Sequence, residues 1–351
     1  MTKHGKNQPN VTIVLVNWNG WEDTVECIKS IRNSDYSNCQ VVVCDNASTD
    51  GSLEKMELWA VNNLQQDQWQ TVSENFIRDL EPTSINEQEL QSKGISDREL
   101  VYVKADSNLG FAGGNNLGIR LALIQNEFDY IWLLNNDTVI ENNTLNYLIK
   151  RLMMDGKAGM CGGTLLYYHR PNTVQAFGGA TYNQWTGLAR HIGALCKWPN
   201  NPDREIIERQ LSYVAGASLL VSKKFIQEIG LMSEDYFLYF EEIDWITRAK
   251  GRFNLVFEPK AVVYHKEGAS IGSNIESSKR SYKSYFWLLR SRLIYTKKYF
   301  PLAIPSVVLV AIIQLLRHSI SNKTFKPLYV GISGMMQAIF PKNIVPTNRI
   351  K

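Results

Sequence analysis

Short β-branched runs that end in loops rich in Asn and Asp are the feature that most constrains this chain. Val11–Val16 is followed by Asn17-Trp18-Asn19-Gly20, and residues 40–44 are followed by the loop Asp45–Ser52. Between Glu22 and Asn33 the apolar positions have helical spacing. Strand, polar loop and helix in this order predict a parallel sheet covered by helices.

The same alternation returns further along the chain. Residues 101–103 precede the glycine-rich segment Asn108–Asn116, and a helix to about Gln125 is predicted to follow. Tyr130–Leu134 is a fourth apolar run, ending at Asn135-Asn136-Asp137. The polar stretch at about 55–99 is predicted to be an insertion. The fold class is therefore α/β: a Rossmann-like, mostly parallel sheet with helices on both faces.

Charge divides the chain into two parts. Residues 277–351 contain 13 Lys and Arg and no Asp or Glu, whereas residues 1–276 carry a net charge of −9. We therefore predict a first domain at 1–276 and a basic, apolar helical tail at 277–351. With 44% hydrophobic and 21% charged residues overall, the composition excludes low-complexity chains and polytopic membrane proteins.

Basic and aromatic residues alternate at helical spacing between Ser281 and Phe300, which favours an amphipathic helix on an anionic membrane surface. The alternative is a helix that packs on the first domain and keeps a solvated basic face. The apolar run Pro301–Leu316 has 16 residues, fewer than the roughly 20 of a spanning helix. Nothing else resembles a nucleic-acid-binding fold, so we expect no nucleic-acid partner.

Five cysteines without a C-x-x-C pair are typical of buried free thiols in a reducing compartment. The first ten residues are polar and do not resemble a signal peptide. Both observations predict a cytoplasmic protein.

Polar clusters follow four successive predicted strands. Ligands of open parallel sheets bind beyond the carboxyl ends of the strands, so these clusters predict a nucleotide or sugar-phosphate pocket. Asp137 suits a hard divalent cation, although it could instead cap a helix that starts at Thr138. The spacing Gly110-x-x-Gly113-Gly114 is not a dinucleotide fingerprint, and a tight turn remains the alternative.

Three acids lie together in Glu241-Glu242-Ile243-Asp244, beside aromatic residues. A carboxylate near apolar rings can act as a general base, whereas acids at a helix start are also explained by the helix dipole. His265 ends a predicted strand and is a candidate metal ligand, with a structural histidine as the alternative.

Four ordered segments resemble family-2 glycosyltransferases of the GT-A fold, in particular rhamnosyltransferase-like bacterial polysaccharide enzymes. The resemblance extends over about residues 10–270. The segments are Val43–Ser52, Asn108–Asn116, Leu133–Asp137 and Phe240–Ala249.

The resemblance implies a role for each matching residue. Asp45 would read the nucleobase, with Asn17 and Asn46 nearby. The donor ribose and diphosphate would be lined by Asn108, Gly110, Phe111 and Asn115, and Asn136 is grouped with these donor-binding residues. Asp137 would end a D-x-D-like metal motif that has Asn135 at its first position, and His265 would lie near the metal. Glu242 would be the general base, with Asp244 and Glu241 as further candidates.

The implied activity is that of an inverting glycosyltransferase that uses Mg²⁺ or Mn²⁺ and a nucleotide-sugar donor, with dTDP-L-rhamnose as one candidate. The acceptor would be a hydroxyl of a glycan or a lipid-linked molecule, on the inner face of the cell membrane. Two alternatives remain: a sugar-1-phosphate nucleotidyltransferase and a non-catalytic sugar-binding module on the same fold.

Overall fold

The computed structural model describes residues 8–78, 98–200, 202–266 and 281–340. The strands are β1 (Val11–Asn17), β2 (Cys39–Asp45), β3 (Trp69–Ser73), β4 (Leu100–Lys104), β5 (Tyr130–Asn135), β6 (Thr138–Ile140), β7 (Ala158–Tyr167), β8 (Arg170–Phe177), β9 (Gly179–Asn183), β10 (Leu188–His191), β11 (Tyr213–Val214), β12 (Ser218–Ser222) and β13 (Asn254–His265).

Eleven α-helices lie in the described ranges. They are α1 (Trp21–Arg32), α2 (Ser52–Asn63), α3 (Glu74–Arg78), α4 (Gly110–Gln125), α5 (Thr144–Met153), α6 (Arg204–Gln210), α7 (Lys223–Ile229), α8 (Glu241–Arg248), α9 (Tyr282–Tyr299), α10 (Ile304–Ser321) and α11 (Lys326–Ile339), with a short 3₁₀-helix at Pro301–Ala303 before α10.

The main sheet has ten strands in the order β3-β4-β2-β1-β5-β12-β7-β13-β6, with β8 beside β7. Strands β1 to β5 are parallel, and β7 and β13 form a second parallel pair. Strand β12 runs antiparallel between β5 and β7, so its first residues lie beside the end of β5 and the middle of β7. The predicted mostly parallel α/β sheet is confirmed. A second sheet, β10-β9-β11, has three strands.

Alternate residues of β1 face opposite sides of the sheet, as strand periodicity requires. Ile13 and Leu15 pack in a core with α1, α2 and α5, while Val14 packs in a second core with α4, α7 and α8. The helices therefore cover both faces, as predicted.

The stretch predicted to be an insertion is partly regular structure. Helix α2 includes the first residues of this stretch, and β3 pairs in parallel with β4 at the edge of the main sheet. Residues 54–78 therefore continue the strand–helix alternation, and their polar composition reflects an edge position. Residues 79–97 of the proposed insertion lie outside the described residues.

Two smaller expectations need correction. Thr138 begins strand β6, so Asp137 does not cap a helix there; the next helix begins at Thr144. Of the five cysteines, Cys27, Cys44 and Cys161 are buried and free, whereas Cys196 is exposed.

The C-terminal segment is helical, as predicted. Helix α9 packs against the first domain, with Phe286 and Tyr295 buried and the guanidinium-bearing Arg292 only 4% exposed. One described helical segment, Pro301–Ser321, is long and apolar enough to cross a membrane by its length and composition. It is longer than the run counted from the sequence because the helix continues to Ser321.

Candidate active site

Asp45 lies at the end of β2 and is buried beside the end of β1. Its Oδ1 accepts hydrogen bonds from Asn17 Nδ2 at 2.7 Å and from Ser48 Oγ at 2.6 Å. The Ser48 amide donates to Oδ2 at 3.2 Å. The predicted nucleobase-reading acid is therefore held by three donors in a fixed orientation.

Asn46 connects this acid to the glycine-rich loop. Its Oδ1 accepts from the Leu109 amide at 2.8 Å, and its Nδ2 donates to the Gly110 carbonyl at 3.0 Å and to Asn108 Oδ1 at 3.2 Å. Gly110 has a left-handed φ of +72°, and a Cβ there would overlap the backbone carbonyl of Phe237. Only glycine allows this approach.

Asn115 lies one turn into α4 and is buried, with its Nδ2 donating to the Phe111 carbonyl at 2.9 Å. Phe111 in turn donates its amide to the Phe237 carbonyl at 2.9 Å. The loop that was predicted to line the ribose and diphosphate thus contacts the segment that precedes the acid-rich helix α8.

Asn136 joins the Asp45 cluster to the candidate metal site. Its Nδ2 donates to Thr24 Oγ1 at 2.9 Å and approaches Asn17 Oδ1 at 3.4 Å. Thr24 also donates to Asn17 Oδ1 at 2.9 Å. Asp137, the next residue, is therefore positioned from the same network that holds Asp45.

Asp137 Oδ1 and His265 Nε2 are 3.1 Å apart. On the other side of the ring, His265 Nδ1 lies 2.9 Å from Gln175 Oε1, and Gln175 is 3% exposed. An amide oxygen only accepts, so Nδ1 carries a proton and Nε2 is the ring nitrogen that faces Asp137. Asn135 Nδ2 lies 3.2 Å from the same nitrogen.

This donor set fits a divalent cation. A carboxylate oxygen and an imidazole nitrogen converge, and a buried acceptor fixes the ring as such ligands require. In the part of the chain that the structure describes, no group of three or more His, Cys, Asp or Glu could hold a metal ion. The remaining ligands would have to come from a bound diphosphate, from water or from amide oxygens.

Glu242 lies on the first turn of α8, and its Oε1 accepts a hydrogen bond from the Gly216 amide at 3.1 Å. A Cβ at position 216 would overlap this carboxylate and would lie 3.0 Å from the Phe111 ring. Gly216 therefore keeps open the space in which Glu242 and the donor loop meet.

Burial raises the pKa of Glu242 to about 7, against an ordinary value of 4.5, although the Gly216 amide favours the ionised form. Burial and the neighbouring charge of Glu242 raise the pKa of Glu241 well above the ordinary range. Glu241 is 2% exposed, and its Oε2 has no hydrogen-bond partner among the described residues. Glu242 thus has the pKa of a base that works near neutral pH.

Asp244 is fully buried, and several cations and hydroxyls surround it. Arg248 Nε donates to its Oδ2 at 2.9 Å, while Lys298 Nζ at 2.9 Å and Tyr299 at 2.8 Å donate to Oδ1. Tyr236 donates to the same oxygen at 3.1 Å. With both oxygens engaged, Asp244 is placed to join α8 to α9 rather than to accept a proton from a substrate.

A continuous set of contacts joins the three carboxylates of Asp45, Asp137 and Glu242. The Asn135 amide donates to the Ala217 carbonyl at 3.0 Å, one residue from the Gly216 amide that binds Glu242. The Asn135 side chain contacts His265, which contacts Asp137. Asn17 and Asn136 complete the path to Asp45.

The backbone before α8 is strained. Tyr239 and Phe240 both have left-handed φ values, +68° and +75°. Such conformations cost about 1–3 kcal/mol each in bulky residues and persist only where the surroundings hold them. Tyr239 and Ser284 share a 2.6 Å hydroxyl contact, and Ser291 Oγ donates to the Leu238 carbonyl at 2.9 Å. Helix α9 therefore holds the segment that presents Glu242.

Sequence reasoning missed Gln175, Gly216, Ser48 and Thr24. Gly216 lies in the small-residue run Ala215-Gly216-Ala217-Ser218, which signals close packing without naming the partner. Gln175 has no local signal, since only the pairing of β8 with β7 brings it to His265.

Comparison with known proteins shows which family the first part of the chain is similar to. Residues 12–68, which extend from β1 to the residue before β3, match the profile described as Glycosyl transferase family 2. Over these residues the chain is therefore similar to family-2 glycosyltransferases. Over 155 residues it is 26% identical to the "Low-salt glycan biosynthesis hexosyltransferase Agl10" of Haloferax volcanii, covering 44% of this chain and 48% of that relative.

A second relative is the "Poly-beta-1,6-N-acetyl-D-glucosamine synthase" of Staphylococcus aureus, 21% identical over 182 residues, which are 52% of this chain and 40% of the relative. The chain thus aligns with less than half the length of these curated relatives. The fold is also that of a mannosyltransferase from Pyrobaculum calidifontis solved with GDP-Man and Mn²⁺, with a TM-score of 0.53, 13% identity and coverage of 96% and 89% of the two chains.

Proposed function

We propose that the chain is an inverting, divalent-metal-dependent glycosyltransferase. It would move a sugar from a nucleoside diphosphate donor to a hydroxyl of a glycan or lipid-linked acceptor, in the synthesis of a cell-surface polysaccharide, while attached peripherally to the inner face of the membrane. The observation that carries the proposal is the Asp137–His265 pair, which a continuous set of contacts joins to the half-buried, hydrogen-bonded Glu242.

Each side chain has a defined task in this proposal. Asp45, oriented by Asn17 and Ser48, binds the nucleobase, and the Asn108–Phe111 loop encloses the ribose and diphosphate. Asp137 and His265 would hold Mg²⁺ or Mn²⁺, which when bound offsets the charge that develops on the leaving diphosphate. Glu242 accepts the proton of the acceptor hydroxyl, which attacks the face of the sugar opposite the diphosphate.

The relatives support the substrate classes. A hexosyltransferase of glycan synthesis and a polysaccharide synthase are similar in sequence, and the mannosyltransferase of the same fold was solved with a nucleotide sugar and Mn²⁺. Among nucleotide sugars, dTDP-L-rhamnose is one candidate donor.

A donor screen tests the proposal. The purified full chain is incubated with Mg²⁺ or Mn²⁺ and a panel of nucleotide sugars, and release of nucleoside diphosphate is measured. We expect one or a few donors to be hydrolysed or transferred, with loss of turnover in Asp137→Ala and in Glu242→Gln and retained folding by circular dichroism. Wild-type turnover in both variants would overturn the site assignment. Release of pyrophosphate from a nucleoside triphosphate and a sugar phosphate would instead identify a nucleotidyltransferase.

A further inference from the structure

Helices α10 and α11 each expose an apolar stripe. We call the two stripes together the outer apolar face. Its members are Leu309, Ile313, Leu316 and Ile320 on α10, and Phe325, Tyr329, Ile332, Met336, Ile339 and Phe340 on and beside α11; each is at least 40% exposed.

The spacing puts each stripe on one side of its helix. Up to Ile339, successive members on each helix are three or four residues apart, which at 3.6 residues per turn keeps them in line, and Phe340 follows at the end of α11. The buried residues of α10, such as Val307, Ala311 and Leu315, repeat every four residues on the opposite side. Both helices therefore have two apolar sides, one that packs inside the protein and one that faces solvent.

The inner sides are used for packing on α9. Gly331 of α11 lies so close that a Cβ there would be 2.6 Å from Leu315 and 2.8 Å from Leu289, and one on Gly334 would be 2.5 Å from the Phe286 carbonyl. Since α9 is bound to the first domain, α10 cannot leave it to be surrounded by lipid without breaking these contacts. The structure thus disfavours a spanning helix, although the length and hydropathy of α10 would permit one.

The charges around the outer apolar face have one sign. Residues 281–340 contain eight Lys and Arg and no Asp or Glu. Arg317 and Lys326 each follow a member of the face by one residue, and Lys323 lies in the turn between the helices; all three are exposed. Long basic side chains at the border of an apolar face can reach anionic headgroups while the face contacts acyl chains.

We infer that the outer apolar face binds an anionic lipid bilayer in the plane of the membrane, with α10 and α11 lying in the interface rather than crossing it. The face is one-sided, its border is basic, and its helices are fixed to the first domain through α9. This deepens the membrane attachment of the proposed function. The lipid binding itself does not require that the sugar-transfer assignment be correct.

Vesicle co-sedimentation tests the surface. The full chain is mixed with vesicles of phosphatidylglycerol and phosphatidylcholine, and the bound fraction is compared between two double variants. Leu309→Glu/Ile320→Glu changes the face, and Leu58→Glu/Met154→Glu changes two residues of matched exposure on the first domain, 61% and 77% against 59% and 77%. We expect at least a tenfold loss of partitioning for the first and none for the second. Equal partitioning, or no binding of the wild type, would overturn the inference.

The basic border is tested separately. Arg317→Gln/Lys323→Gln/Lys326→Gln should lower partitioning onto anionic vesicles by roughly two orders of magnitude at low salt, since each basic residue near an anionic leaflet contributes about fivefold. Partitioning onto pure phosphatidylcholine should stay unchanged. A stable dimer in lipid-free solution that the Leu309→Glu/Ile320→Glu variant dissociates would show that a second copy covers the face. Donor hydrolysis is measured for the face variant and the border variant in detergent-free buffer. A variant that hydrolyses the donor but does not bind vesicles has lost membrane binding alone, and absence of hydrolysis in the wild type would count against the proposed sugar transfer.

Discussion

The surroundings of the Glu242 carboxylate make the free energy of unfolding depend on pH. Because burial raises the pKa of Glu242 from 4.5 to about 7, the folded chain keeps a proton that the unfolded chain has released. The resulting stabilisation is complete below pH 4.5 and is lost as pH rises through about 7. Glu242→Gln, which does not ionise, should therefore lose less stability than the wild type across this interval.

Calorimetric melting temperatures at intervals from pH 4.5 to pH 7 and above check this expectation, with Glu54→Gln on α2 as the control. Parallel pH profiles of wild type and Glu242→Gln would contradict it. The same protonation predicts that the rate of sugar transfer by the wild type rises through about pH 7, since only the ionised form accepts a proton.

Gly216 allows the Glu242 carboxylate to occupy its place. In Gly216→Ala the added methyl group overlaps that carboxylate, so the base must move. A displacement of about 1 Å can lower a rate by about 10²-fold, and we expect a loss of that order in kcat with a largely unchanged KM for the donor. Steady-state kinetics measure it. Gly156→Ala is the control, since a Cβ at Gly156 meets nothing within 4 Å; an equal loss there would exclude the proposed cause.

Gln175 orients His265, and its replacement should weaken metal binding. Such supporting residues typically contribute about 10–100-fold to metal affinity. Gln175→Leu is therefore expected to lower Mn²⁺ affinity in the presence of a nucleoside diphosphate by that factor, measured by calorimetric titration. The same substitution at the exposed Gln66 serves as control. Unchanged affinity in Gln175→Leu would remove the positioning role.

The strand-end residues were predictable from the sequence because the rule they follow is local. A β-branched run followed by Asn and Asp placed Asn17, Asp45 and Asp137 at one edge. Gln175 and Gly216 were not predictable in this way, since their roles depend on pairings between strands distant in sequence. Asp244 illustrates the opposite difficulty: the family resemblance made it a further candidate for the base, whereas two of its partners, Lys298 and Tyr299, come from α9, about 55 residues later.

Helix α9 stabilises α8, the helix that carries Glu242, through contacts with Asp244. Asp244→Ala would leave Arg248 and Lys298 without their shared carboxylate at a fully buried site. The Arg248 and Lys298 side chains are 25% and 38% exposed and regain part of their hydration, so we expect the free energy of unfolding to fall by about 1–3 kcal/mol. Denaturant titration measures the loss.

The exposed Asp67→Ala is the control and should change the free energy of unfolding by no more than about 0.5 kcal/mol. A stable, inactive Asp244→Ala protein would contradict the structural role and return this residue to the candidates for the base.

The helices and strands themselves were largely predictable, and their surroundings were not. The basic and aromatic pattern of α9 indicated a membrane interface, but Tyr295 packs on Tyr236 and Ile243 of the first domain, and Phe286 packs on Val330 of α11. Periodicity reveals that a side is apolar without revealing what covers it. Strand β3 lies in the stretch that was predicted to be an insertion, and its polar composition did not indicate a strand because an edge position needs few apolar residues.

For the whole molecule, the contacts of α9 predict that residues 1–276 do not make an enzyme alone. A chain that ends at residue 276 would expose Ile243 and Tyr236 and release the strained backbone at Tyr239. Burial of one such aliphatic side chain contributes roughly 1.5–3 kcal/mol, so we expect aggregation or a clearly lower melting temperature, with loss of sugar transfer. Light scattering and turnover measure this.

A chain that ends at residue 340 is the control, since it retains α9 to α11. Full turnover of the 1–276 chain in solution would mean that the tail only anchors the protein. The division between residues 276 and 277 stays a prediction about charge and membrane contact. Because α9 packs on the first domain, we do not expect the two parts to fold independently.

The closeness of Gly110 to the Phe237 carbonyl has a practical consequence for redesign. The loop that would select the donor and the stretch that presents the base are separated by less than the width of a methyl group. Anyone who wishes to broaden the range of sugars accepted should therefore diversify side chains that point away from this contact, and leave position 110 untouched. In a library that randomises the whole loop, most variants would lose activity because the base is displaced. That loss could be mistaken for a strict preference for one sugar.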